Sequence, residues 1–134
     1  MPLAPDLLAQ AAQVVIDLVR RKDYVSMVEI QRALEPHIPV TGNALFQMPD
    51  LNIVLWAGVT EEFGEVMGSE LVRNALDVQP CPLMVYWIDG TVLNFPIAER
   101  LPKFGRYRQP HWAPVVFRMR QRLRERRRQR EALR

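Results

Sequence analysis

Apolar residues recur at intervals of three and four from Asp6 to Arg21: Leu7, Leu8, Ala11, Val14, Val15, Leu18 and Val19. That spacing gathers them on one side of an α-helix and predicts a first, amphipathic helix. Pro5 suits its first turn, and Arg20, Arg21 and Lys22 suit its last, where the helix dipole favours positive charge. Ser26-Met27-Val28-Glu29 is a capping-box pattern: the serine oxygen accepts an amide of the first turn and the glutamate reaches back. It predicts a short second helix over Met27 to Glu35, stopped by Pro36.

The periodicity then breaks. Residues 36–51 hold Pro36, Pro39, Gly42 and Pro49 and read as an extended connection. Ile53-Val54-Leu55-Trp56 is an apolar run of strand length, expected to be covered on both faces and ended by Gly58. Thr60 is placed to cap a third helix, with Phe63, Met67, Leu71 and Ala75 aligned at spacing four. Gly64 and Gly68 weaken that helix and imply a packing reason for their presence. Leu83–Ile88 and Thr91–Ile97 flank Asp89-Gly90, the signal of a two-residue hairpin turn. The resulting register places Met84, Tyr86, Leu93 and Phe95 toward the core and Trp87 and Val92 on the other face. Pro102 to Pro114 reads as an irregular strap, and a final helix is expected from Pro114, docked through Val116, Met119 and Leu123.

The order helix, capped short helix, helix, hairpin resembles that of a winged helix over residues 6–97. The expected fold is therefore α+β: a small winged-helix-like domain of three helices and a short antiparallel sheet, followed by a basic C-terminal helical tail. The likeness is one of element order, because a helix-turn-helix joins its second and third helices far more tightly than Glu35 is joined to Glu61.

Charge changes the picture. The whole chain carries a net +3, but residues 1–98 hold five basic against twelve acidic groups, a net −7, and residues 99–134 hold thirteen against three, a net +10. Solvation needs no such segregation of sign, so the basic end points to a polyanion. Three segments follow: an acidic body over 1–98, a Pro/aromatic strap over 99–114 packing on it, and an arginine-rich tail over 115–134 that is helical at its start. On a helix Arg118, Arg122, Arg126 and Arg130 form one row and Arg120, Arg124 and Arg128 a second, with Arg127 between them. Like charges so spaced repel, and phosphates would relieve the repulsion while releasing counterions. Arg106 and Arg108 alternate with Tyr107 and Trp112 in the strap, a composition suited to phosphate contact and base stacking.

The leading expectation is a nucleic-acid-binding accessory or regulatory protein, for DNA or RNA, with little sequence discrimination. The alternative is a protein-interaction module, a phage-type or regulatory adaptor, using Trp87, Val92 and the carboxylates Glu61, Glu62 and Glu65. In that version the basic tail packs on its own chain or on a second copy, giving a homodimer. Catalysis has little support: His37 and His111 lack neighbours in metal-ligand spacing, and neither a phosphate-binding glycine loop nor a nucleophile elbow is present. No enzyme activity, cofactor or metal is expected. Cys81 alone forms no internal disulfide, no apolar run approaches the roughly 20 residues of a membrane span, and the N-terminus lacks the pattern of a secretion signal. A cytoplasmic protein without a membrane partner is the expectation.

Overall fold

A computed structural model describes residues 2–99, 105–120 and 132. Within them the chain is a mixed α+β fold. Helix α1 (Pro5–Lys22) leads through β1 (Val25–Ser26) into α2 (Met27–Leu34). Strands β2 (Thr41–Met48) and β3 (Ile53–Val59) follow, then α3 (Glu61–Met67), α4 (Glu70–Ala75) and β4 (Leu76–Pro80). Helix α5 (Met84–Asp89), β5 (His111–Trp112) and β6 (Val115–Met119) complete the described elements. The strands form two three-stranded sheets, β1-β6-β4, which is antiparallel, and β2-β3-β5, in which β5 runs parallel to β3.

The first two helices form as their sequences dictate. Helix α1 buries Ala11, Ala12, Val15, Ile16 and Val19 against α2, α4 and β6, and Asp6 and Arg20 to Lys22 complement its dipole at opposite ends. Ser26 caps α2 by accepting the Glu29 amide at 3.3 Å. The Glu29 carboxylate does not close the box but pairs with Lys22, tying α2 to the end of α1. Trp56, Tyr86 and Trp112 meet at the centre of the core with ring centroids 5.2 to 6.1 Å apart.

Several expected elements are different. The connection over residues 36–51 contains β2, an edge strand whose exposed and half-covered residues alternate and whose register with β3 shifts. Its Gly42 marks a close approach of two backbones, since a Cβ there would lie 2.9 Å from the Val59 carbonyl oxygen. Gly58, with φ of 70°, does not end β3, which runs on to Val59. The third helix is two helices. Thr60 caps α3 as expected, but Gly68 closes it and Ser69 caps α4 by accepting the Val72 amide. The break shifts the helical phase, so Val72 is buried and Leu71 is half-exposed.

The hairpin around Asp89-Gly90 is replaced by α5. Gly90 adopts φ of 90° and its amide donates to the carbonyls of Tyr86 and Trp87 at 2.9 and 3.1 Å, while Thr91 donates to Tyr86. A left-handed glycine ends a helix as readily as it turns a hairpin, and here it ends α5, with Tyr86 set into the core. No hairpin therefore stands where the wing of a winged helix would be. Of the expected core face, Tyr86 is buried, Leu93 and Phe95 are partly covered, and Met84 is exposed.

The helix expected from Pro114 is strand β6, the middle of its sheet. Val115, Phe117 and Met119 alternate toward the core, a period of two that pairing on both sides selects over the helical spacing of Val116 and Met119. Residues 115–119 are thus built into the body. Lys103, Leu123 and the arginines at 122, 124, 126, 127, 128 and 130 lie outside the described residues.

Candidate functional site

Helix α5 is short and has no side-chain cap, so its order comes from anchoring on three sides. The Tyr86 hydroxyl donates to the Val115 carbonyl at 2.6 Å and accepts the Met27 amide at 3.1 Å, joining α5 to β6 and to the start of α2. The Ser26 hydroxyl, while accepting the Glu29 amide, donates to the Asp89 carboxylate at 2.5 Å. Arg32 reaches the Asp89 carbonyl at 3.3 Å. One serine thus caps α2 and fixes the end of α5, using its donor and an acceptor together.

Anchored in this way, α5 turns Met84, Trp87 and Ile88 outward, with 65%, 68% and 79% of their surface exposed. Positions at spacing three and four share one face of a helix, so the three side chains form an apolar ridge. Val92, just beyond the Gly90 cap, is also exposed. Exposed large apolar side chains scattered singly are ordinary, whereas a contiguous group is the composition of a docking surface. Trp87 and Val92 were expected to face away from the core and are exposed, whereas Met84 was expected in the core and Ile88 was given no role. The signal available was the spacing of Met84, Trp87 and Ile88 before a helix-closing glycine.

The acidic residues proposed alongside them sit elsewhere. Glu61 and Glu62 on α3 line a shallow cleft of about 450 Å³ with Gly42, Asn43 and Thr60. Glu65 accepts the Leu3 amide at 2.9 Å and so holds the N-terminal segment.

The four described arginines of the basic set divide into two kinds. Arg120 is committed to the body: its Nε donates to Asp77 at 2.8 Å and its terminal nitrogen to the Leu76 carbonyl. Arg118, beside it on β6, is half-buried with its Nε enclosed. Arg106 and Arg108 are exposed on a loop pinned to the β2–β3 turn, where the Tyr107 amide donates to Leu51 and the Asn52 side chain donates to the Tyr107 carbonyl, each at 3.1 Å. Between them Tyr107 stacks on His111 at 3.8 Å and 15°. His111 is oriented by donating from Nδ1 to the Gln109 carbonyl at 2.7 Å.

Cys81 is partly covered; burial, and secondarily the charge of Asp89, push its thiol up, away from the reactive thiolate. Among the described residues no group of three or more His, Cys, Asp or Glu side chains is arranged to hold a metal, and no helix is long and apolar enough to cross a membrane. No family model matches the sequence, and no curated protein or solved structure matches it at a significant level.

Proposed function

We propose that this protein is an interaction module that docks a protein partner through the ridge of α5. The observation that carries the reading is the exposure of Met84, Trp87 and Ile88 on a helix anchored through Tyr86 and Asp89. Tryptophan is prominent among residues that dominate binding energy, and a face already ordered loses little entropy on association. The partner is expected to present an apolar pocket. A pull-down from the native host, in high salt and nuclease, tests this with wild-type protein and Trp87→Glu. The partner should be lost with the variant, whose circular dichroism should be unchanged. With the identified partner, affinity should fall by about thirtyfold, the ~2 kcal/mol of a dominant contact. Equal recovery of the same proteins by both would refute the reading.

A second reading, polyanion binding, is favoured by the exposed Arg106 and Arg108 around the Tyr107–His111 stack and by the net +10 of residues 99–134. Titration of duplex DNA and structured RNA against the full chain and a chain ending at Arg120 addresses it. Affinity should fall steeply with salt and weaken in the shorter chain. Affinity equal in the two chains would remove the basic end from any role in binding. If instead the shorter chain sediments as a monomer and the full chain as a dimer, the basic end serves self-association.

A further inference from the structure

A groove of about 340 Å³ runs between the two sheets, with walls of Phe46 and Met48 from β2 and Val78 and Phe117 from β4 and β6. Val72 of α4 lines it as well; among the described residues Arg73 is the one charged residue lining it, and it is exposed and makes no ion pair with them. Val78 is 51% exposed, an unusual position for a valine on a strand beside an otherwise apolar groove. Among the described residues both strands at its rim are edge strands: β4 pairs with β6 alone, and β2 with β3 alone. The outer edges of β2 and β4 therefore carry backbone donors and acceptors that no strand among the described residues pairs with.

We infer that this groove binds an extended, apolar peptide segment that carries a carboxylate. The open edges select a peptide over an acyl chain, because an extended peptide pairs with edge amides and carbonyls while its alternate side chains enter the groove. An acyl chain would cover Val78 and Met48 but leave those backbone groups to water. The exposed guanidinium of Arg73 selects the charge, since a planar fork of donors pairs with a carboxylate in two parallel hydrogen bonds. The occupant is distinct from the partner proposed for α5 and does not depend on that reading.

The probe is a fluorescein-labelled peptide of alternating valine and threonine ending in valine with a free carboxylate, titrated by anisotropy against the full chain. Binding should be saturable and should weaken by about tenfold when the peptide is amidated, the effect of losing one charge-assisted contact. Arg73→Gln should weaken the acid to the level of the amide and leave the amide unchanged. Val78→Asp, at an exposed position, should abolish both without altering circular dichroism, and Trp87→Glu should alter neither. Equal binding of acid and amide, or an unaffected Val78→Asp, overturns the proposal. So does displacement of the peptide by palmitate, which would make the site one for acyl chains. Absence of peptide binding together with a dimer that Val78→Asp dissociates would assign the edge to a second copy of the chain and overturn it too.

Discussion

Tyr86 connects three elements through one hydroxyl, and its environment makes two expectations quantitative. Replacing it with phenylalanine keeps the packing between Trp56 and Trp112 but leaves the Met27 amide and Val115 carbonyl unpaired in the interior. Urea denaturation of Tyr86→Phe should show a loss of about 1–3 kcal/mol. Burial, foremost, holds the phenol far above its usual range. The folded state then keeps a proton that the unfolded state releases above about pH 10, so stability falls as pH rises past that point. Below it the contribution is fully present. The slope from this group should approach about 1.4 kcal/mol per pH unit and be absent in Tyr86→Phe. That Tyr86 is a core residue was legible in the sequence even though its element was not, because the strand and helix readings both turn it inward.

Local chemistry was legible at the starts of elements more than at their ends. Ser26 and Thr60 cap helices as their sequences imply, since a hydroxyl accepting an amide three residues on is a purely local contact. Gly90 and the Val115–Met119 run were ambiguous for a physical reason. A left-handed glycine serves a hairpin turn and a helix end alike, and a five-residue run with four apolar residues satisfies two periods until its strand partners are known. The α5 ridge was hidden by the first of these ambiguities, and Arg120's attachment to Asp77 by the second. The glycine cap yields a test. Since nothing lies within 4 Å of a Cβ built on Gly90, Gly90→Ala should cost only the left-handed strain, about 1–2 kcal/mol, with the fold retained. Hydrogen exchange should quicken at the Gly90 and Thr91 amides, which close α5. Ser26→Ala should cost about 0.5–2 kcal/mol through the lost cap and also release the end of α5, so that Trp87 fluorescence becomes more mobile.

At the scale of the molecule, the division into acidic and basic parts does not coincide with the division into body and appendage. Residues 99–134 carry the net +10, yet Trp112 is at the centre of the core and β6 is the middle strand of its sheet. Counting charge along the chain located the change of sign but could not show that the basic part begins inside the body, because sheet pairing joins positions far apart in sequence: Val25 with Phe117 and Leu76 with Met119. A truncation series separates the two divisions. A chain ending at Pro114 removes the strand to which both β1 and β4 are hydrogen-bonded, and with it the buried Val115, Val116, Phe117 and Met119. Burying a side chain of this size contributes about 1.5–3 kcal/mol, so four of them approach the whole stability of an ordinary domain. That chain should show no cooperative thermal transition. A chain ending at Arg120 keeps β6, the salt bridge from Arg120 to Asp77 and the carbonyl that receives Tyr86. It should unfold cooperatively, with near-ultraviolet circular dichroism like that of the full chain, and loss of that transition would mean that residues beyond Arg120 are needed for the body to fold.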